Sequence, residues 1–458
     1  MNHKYFNKLR QASPAMLLLF SYGLVILLGT SLLLLPASTV SGGMGIIDAL
    51  FTATSAVCVT GLIVVDTGSH FTLLGQTIIL ILIQLGGLGI MTISVSLFLF
   101  VGKRVPFKHR LAMQDVFAHT PRRDIYTLVK SVLIFTALAE VVGTALLFWH
   151  FQDHYPLWRA FYLAAFHSIS AFCNAGFSLF SDSFISYRGS LALNLTICAL
   201  IVLGGIGFPV VYELSSRLRK KGKARRISVH TKVVLITTAI LIVVGALAFA
   251  FLEQERLNSS IISQGFWLPA LFQSITARTA GFNTVDIASL GTSTLAVVVF
   301  LMFFGASPGS CGGGLKTTTL ALLGLYALGR VRGGERVNVF KKTIPRETVT
   351  KAVSLFLLAV VLIALMLFAV LVAQEPRTGT AEVPRPFLAY LFEVVSAFGT
   401  VGLSMGVTSA LTAPGKVLIT ILMLVGRLGV PAFTYLLLRG NGDRTVGFHY
   451  AEERVMLG

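Results

Sequence analysis

SAVCVTGL at 55–62, SAFCNAGF at 170–177, ITARTAGF at 275–282 and SAFGTVGL at 396–403 are four versions of one phrase, an apolar run closing on a glycine. Their glycines, Gly61, Gly176, Gly281 and Gly402, stand 115, 105 and 121 residues apart, so the chain reads as four direct copies of one unit. Each copy holds a membrane-length apolar segment, a shorter apolar helix ending in the phrase, and a second membrane-length segment. The expected architecture is four re-entrant loops facing a common axis.

Composition fixes the class in which these repeats sit. With 55% hydrophobic and 12% charged residues and a mean hydropathy of +0.82, the chain is too apolar for an ordinary soluble domain. Segments able to cross a hydrocarbon core, which takes about 20 helical residues, fall near 14–35, 73–101, 126–150, 190–216, 229–252, 293–329, 347–373 and 413–438. The shorter stretches 46–57, 158–172, 264–277 and 384–398 cover only about 18–23 Å as helices, which makes them half-crossings. Surface amphipathic helices are the rival, disfavoured by the few basic residues at their flanks. The expectation is an all-α polytopic membrane protein with eight crossings and four half-helices in pseudo-fourfold symmetry around one pore. Its units are 14–101, 126–216, 229–329 and 347–438, between termini 1–13 and 439–458.

The net charge of +18 does not point to nucleic acid, because of where the charge lies. Of 37 Lys and Arg, 27 fall in 1–13, 102–125, 217–232, 330–351 and the segment after 438. These are the N-terminus and the ends of even-numbered crossings, so the positive-inside rule makes them cytoplasmic, with both termini inside. A basic inner face suits lipid headgroups or a docked cytosolic partner. Cys58, Cys173, Cys198 and Cys311 lie in or beside apolar segments, unlike a loop-borne disulfide framework. The first apolar segment follows Lys4, Lys8 and Arg10 as a signal peptide would, but it is too long for one, and it is expected to be retained.

A dehydrated cation needs oxygens to replace its water, and main-chain carbonyls supply them without a trapping charge. Glycine lets the backbone reach an axis and adopt φ values closed to other residues. The candidate cation-binding residues are therefore Cys58, Val59, Thr60 and Gly61; Cys173, Asn174, Ala175 and Gly176; Arg278, Thr279, Ala280 and Gly281; and Gly399, Thr400, Val401 and Gly402. Half-helices whose C-terminal ends face the pore favour a cation. Thr60, Thr279 and Thr400 add hydroxyls or cap the helices, and Asp48, Asp66, Asp182, Asp286 and Glu393 either draw cations inward or are plain solvated acids.

Each second crossing carries small residues 24 to 28 positions after its glycine: Gly86-Gly87, Gly204-Gly205, Gly305-Ala306 and Gly426-Arg427. In the third unit they expand into Gly305, Ala306, Ser307, Pro308, Gly309, Ser310, Cys311, Gly312, Gly313 and Gly314, a segment that cannot continue a helix comfortably. Such a break inside a bilayer must be buried or line water, and here it obstructs the path. A merely kinked helix is the alternative. Arg427 replaces a glycine of the small-residue phrase, and Lys316 follows the loop. Either donates to loop carbonyls or forms a positive barrier, with an ion pair from Arg427 to Glu140 or Glu393 as the other possibility.

With FTATSAVCVTGLIVVDTGSHFTLLGQTIILILIQLGGLGIMT at 51–92, SAFCNAGFSL, TARTAGFN, SPGSCGGGLKTTT and SAFGTVGLSMG, nearly the whole chain resembles the Trk/Ktr/HKT superfamily of potassium-translocating proteins. Within it the chain is most similar to the KtrB membrane subunits of bacterial Ktr systems. The resemblance implies a homodimer with one potassium pore per subunit. It also implies a cytosolic KtrA-like ring that alone binds ATP and ADP, stimulation by sodium, and a gate at the intramembrane loop 305–314 with Lys316 and Arg427 beside it. Four glycines in the filter imply potassium selectivity. Cys311 departs from the Ser or Thr common in relatives. Two functions compete: a channel-like potassium subunit under cytosolic control, and a secondary symporter coupling potassium to sodium or protons. Direct repeats favour the first, since coupled transporters are commonly built from inverted ones. No phosphate-binding GxxxxGK[ST] loop, no HExxH and no GxSxG in reach of a triad accompanies them.

Overall fold

The computed structural model describes residues 14–89, 125–219, 227–254, 267–334, 336–375 and 387–429. They form α1 (Pro14–Leu33), α2 (Ile46–Val57), α3 (Leu73–Leu88), α4 (Ile125–Phe151), α5 (Leu157–Phe172), α6 (Leu191–Gly205) and α7 (Phe208–Arg219). The second half holds α8 (Val229–Leu252), α9 (Trp267–Thr276), α10 (Thr292–Phe303), α11 (Thr317–Val331), α12 (Arg346–Gln374), α13 (Phe387–Gly399) and α14 (Ala413–Leu428). A two-residue hairpin, Asn338–Val339 against Lys342–Thr343, supplies the strands among the described residues.

Three of the four helices that follow the glycine turns begin at a side-chain cap, while α10 starts after Gly291 without one. The side chains of Thr72, Ser190 and Thr412 accept from the amides of Gly75, Leu193 and Gly415, starting α3, α6 and α14 by satisfying amides that lack an intrahelical partner. The packing that follows is cyclic. α3 leans on α5, α6 on α9, α10 on α13, and α14 returns to α2, so the last unit closes on the first. Outward faces are apolar: Leu24, Leu27 and Leu28 on α1, Leu138 and Val141 on α4, and Ile240, Val243 and Val244 on α8 are exposed. Hydroxyls sit inside, with Thr52, Ser55, Ser170, Thr276 and Ser396 buried. An apolar exterior around a polar interior is the arrangement a hydrocarbon solvent selects.

Among the described residues three helices are long and apolar enough to cross a membrane alone, Val129–Phe151, Val229–Leu252 and Arg346–Gln374, and Leu191–Gly205 with Phe208–Arg217 forms a fourth candidate bent by 96°. The expected crossings 73–101, 190–216, 293–329 and 413–438 are not single continuous helices over their described residues. α3 ends before Gly89 (φ 80°), α6 before Gly207 (φ 99°) and α14 before Gly429 (φ 85°). α10 stops at Phe303 and helix resumes only at Thr317. Residues 90–101 and 430–458, together with 1–13 and most of the basic stretch 102–125, lie outside the described residues.

The glycines before these breaks have a packing reason. A Cβ at Gly86, Gly204 or Gly426 would overlap the carbonyl oxygen of Val57, Phe172 or Phe398, the last or next-to-last residue of the short helix in the same unit. Gly204→Ala should therefore destabilise the protein by about 2 kcal/mol or more, as overpacking against fixed backbone does. Gly324→Ala, whose Cβ meets nothing within 4 Å, should hold or raise stability through helix propensity. Thermal unfolding in one detergent compares the two.

Candidate functional site

The short helices of the first, second and fourth units end in the same turn, and the third ends in a variant in which Ala280 N donates to Thr276 O. In the first unit Cys58 N donates to Thr54 O at 2.8 Å, Val59 N to Ala56 O at 3.1 Å and Thr60 N to Ser55 O at 2.8 Å. In the second, Cys173, Asn174 and Ala175 repeat the pattern onto Ile169, Ala171 and Ser170. Two residues before each glycine the backbone takes a positive φ: Val59 at 56°, Asn174 at 59°, Thr279 at 78° and Thr400 at 50°. The glycines follow with φ of 88° at Gly61, 70° at Gly176, 81° at Gly281 and 91° at Gly402.

These turns close into a ring. A Cβ on Gly61 would stand 2.5 Å from Ala175 O, one on Gly176 2.9 Å from Ala280 O and one on Gly281 2.5 Å from Val401 O. One on Gly402 would overlap Thr60 O, completing the circuit. The four carbonyls of Thr60, Ala175, Ala280 and Val401 thus lie at neighbouring glycines with no side chain between. Cys58, Cys173, Arg278 and Gly399, the other expected contributors, are buried at the helix ends behind them. Arg278 sends its guanidinium away from the ring, with Nη1 3.5 Å from Thr238 O on α8.

Hydroxyls brace the ring from behind. Gly61 N donates to Ser55 Oγ and Gly402 N to Ser396 Oγ, both at 3.1 Å. Ser170 Oγ donates to Phe177 O at 2.8 Å and Thr276 Oγ1 to Phe282 O at 2.7 Å. Sequence reasoning missed this set, although Ser55, Ser170 and Ser396 open three of the four phrases. On one side a cavity of about 460 Å³ opens on all four glycines, with Asp66, Asp182 and Asp286 in its wall. Each of these carboxylates also caps a turn, accepting from the amides of Ser69, Ser186 and Ala288. Asp48 instead pairs with Lys416 at 2.7 Å, and Glu393 is fully buried.

The loop 305–314 lies under the other side. Gly313 N donates to Thr400 Oγ1 at 2.9 Å, and a Cβ on Gly312 would meet the hydroxyl of Thr279. Thr279 in turn pairs with the amide of Asn174 at 3.1 Å, and with Asn174 oriented to accept, its nitrogen reaches Ile201 O and Ala171 O. Thr279 and Thr400 therefore serve the loop and a neighbouring turn, not helix caps. Ser307 N and Cys311 N donate to Gly205 O and Gly204 O at 3.0 and 3.1 Å, Gly314 N to Gly426 O at 3.2 Å, and Phe208 N to Gly309 O at 2.8 Å. Ser310 Oγ donates to Ser307 O at 2.6 Å, and Pro308, whose carbonyl faces Gly207, turns the chain. Lys316 Nζ donates to Gly312 O at 2.8 Å and Gly313 O at 3.3 Å. Arg427 bonds the carbonyls of Cys311 and Gly86 and lies 3.3 Å from Tyr22 Oη. The ion pair with Glu140 or Glu393 is absent: Glu140 accepts from Gln84, and Glu393 from Ser404 and Thr408.

An all-helical membrane protein whose four glycine turns close into a ring of carbonyls, with an acidic cavity above and a tethered loop below, belongs among transport proteins and not among enzymes. The chain belongs to the TrkH family of cation transport proteins, whose family model matches residues 23–441. It is 36% identical to the Ktr system potassium uptake protein B of Vibrio alginolyticus over 454 residues, covering 99% of this chain and 96% of that one. It is also 36% identical to the potassium/sodium uptake protein NtpJ of Enterococcus hirae, over 98% of both chains. The crystal structure of the potassium transporter TrkH from Vibrio parahaemolyticus shares the fold with a TM-score of 0.70, at 19% identity over 92% of this chain and 84% of that one.

Ser396→Ala should cost about 1 kcal/mol, because Gly402 N loses its acceptor in a half-buried turn. Ser31→Ala, which removes an exposed hydroxyl bonded only to Leu27 O in its own helix, should cost far less. Melting temperatures of the two variants, measured side by side, decide this.

Proposed function

We propose that this chain is the potassium-translocating membrane subunit of a bacterial Ktr-type uptake system, built as four M1–pore helix–M2 units. The observation that carries the reading is the closed circuit of Gly61, Gly176, Gly281 and Gly402 with a neighbouring carbonyl at each. Main-chain oxygens in this setting replace the hydration shell of a cation, and the short helices point their partially negative ends at it. The names of the relatives supply potassium as the ion. Sodium is a second ion for the NtpJ relative and is assigned here as a stimulator. Relatives named as one protein of a Ktr system support a cytosolic partner, and the basic inner segments give it a face to dock on. In this reading the partner ring binds the nucleotide, the membrane subunit is a homodimer and both termini are cytoplasmic.

The loop 305–314 acts as the gate. Its bonds reach α6, α14 and the turn at Thr400, so it bridges the space under the ring, and the hydrogen bonds of Lys316 and Arg427 hold it there. Potassium and sodium fluxes into liposomes test both halves of the proposal. Gly61→Ser or Gly281→Ser should weaken potassium uptake and relax discrimination against sodium, since a side chain displaces the adjacent carbonyl. Unaltered affinity and selectivity in both variants would remove these glycines from the ion path. Deleting residues 307–312 should raise flux and reduce dependence on a regulator, with Arg427→Ala acting the same way but less. The two changes should be non-additive, because without the loop its tether has nothing to hold. A folded deletion variant with unchanged flux would make the break a structural kink.

A further inference from the structure

One side chain of each short helix stands at an equivalent place behind the ring. Thr52, His167 and Glu393 lie nine residues before Gly61, Gly176 and Gly402, and Gln273 lies eight before Gly281, the same one-residue shift that puts Thr276 in the bracing place of the third unit. All four are buried. Three of them reach forward to the chain leaving the glycine. His167 Nε2 accepts from Leu179 N at 3.2 Å and lies 3.0 Å from Ser178 Oγ, while Nδ1 faces Leu163 O at 2.8 Å. Gln273 Nε2 is 3.5 Å from Thr284 Oγ1. Glu393 Oε2 accepts from Ser404 Oγ at 2.8 Å, and Oε1 accepts from Thr408 Oγ1.

Of these side chains only Glu393 is an acid. Ser404 Oγ accepts from Gly406 N at 3.0 Å, so its own proton points to Glu393. Both carboxylate oxygens are engaged by hydroxyls, and Thr408 Oγ1 also lies 3.1 Å from Ser404 Oγ, so the three side chains close one cluster. A second register completes the argument. Asp66, Asp182 and Asp286 stand five, six and five residues after their glycines, whereas the fourth unit has Val407 five after Gly402. Every unit thus contributes one carboxylate near the mouth of the ring. Three line the cavity, and the fourth touches it from behind through Ser404 and Thr408, themselves in the cavity wall.

We infer that Glu393 is a positioning residue that sets cation affinity, fixing the outer mouth of the fourth unit and supplying there the negative charge that an aspartate supplies in the other three. The inference rests on the transport reading above. A charge removed from water acts over a longer range than an exposed one, and Glu393 is 0% exposed.

The test is potassium uptake by the full-length protein in liposomes, with the half-saturating concentration and the maximal rate measured separately. Glu393→Gln should raise the half-saturating concentration roughly tenfold with a much smaller change in maximal rate. Adding Ser409→Asp should restore much of it, because Ser409 is exposed in the cavity wall of the fourth unit and the introduced carboxylate would face the cavity as Asp66 and Asp286 do. An unchanged half-saturating concentration, or a fall in maximal rate alone, would overturn the inference by reducing Glu393 to a structural strut. Should Glu393→Gln fail to fold, Ser409→Asp alone decides: it adds a carboxylate to the cavity wall and should lower the half-saturating concentration severalfold, and no change overturns the idea. Wild-type protein that carried sodium but not potassium would overturn the potassium assignment separately, and the same comparison would then be made with sodium.

Discussion

The approach of four backbones with no room for a Cβ between them is the constraint on which the rest depends. Gly61, Gly176, Gly281 and Gly402 each face a carbonyl of the next unit, so none can be replaced without moving a neighbour, and the constraint passes around the circuit. The positive φ values of Val59, Asn174, Thr279 and Thr400 follow from it. Backbone held in that region costs on the order of 1–3 kcal/mol per residue and persists only where the surroundings over-determine it. Here they do. The helix end fixes the turn from one side, a serine or threonine hydroxyl fixes it from behind, and the helix of the preceding unit closes the space around it.

The same use of small residues recurs one layer down. Gly86, Gly204 and Gly426 bring their helices onto the carbonyls that end the short helices, and the chain leaves the helical path just after them. In the third unit the departure becomes a loop whose polar backbone is satisfied by its neighbours: Gly204 and Gly205 accept from it on one flank, Gly426 on another. Irregular backbone is tolerable at membrane depth only with such partners. Arg427 and Lys316 complete the set, turning loop carbonyls into acceptors for two cationic side chains.

Much of this was legible in the sequence because it is written linearly. The four glycine phrases marked the four turns of the ring, and hydropathy placed α2 and α5 to within one residue. The helix ends at Gly89, Gly207 and Gly429 were not legible as the third unit's break was, since a hydropathy window sees length, not φ. The partners of Arg427 were hidden for another reason. Cys311 is 116 residues away and Gly86 is 341, so a choice between loop carbonyls and a buried acid needed the fold. Asp48 and Glu393 looked alike as acids near the opening, yet one meets Lys416 across 368 residues and the other turns inward to Ser404 and Thr408.

Departures from fourfold symmetry fall on opposite sides of the ring and carry opposite charge. Above it the units agree in holding a carboxylate near the mouth, and the fourth alters only its depth. Below it, among the described residues, only the third and fourth units bring a cationic side chain to the loop, Lys316 from one and Arg427 from the other, both spent on loop carbonyls. A cation crossing the ring would leave a field that attracts it for one that repels it, at the point where the loop fills the way. Under the proposed function that polarity makes the closed state doubly unfavourable to conduction, by obstruction and by charge. Opening then has to move the loop and give Lys316 and Arg427 other acceptors together, because a guanidinium or ammonium stripped of its carbonyls inside the protein is itself costly. That coupling ties the position of the loop to α14, the helix that packs back onto α2 and closes the circle.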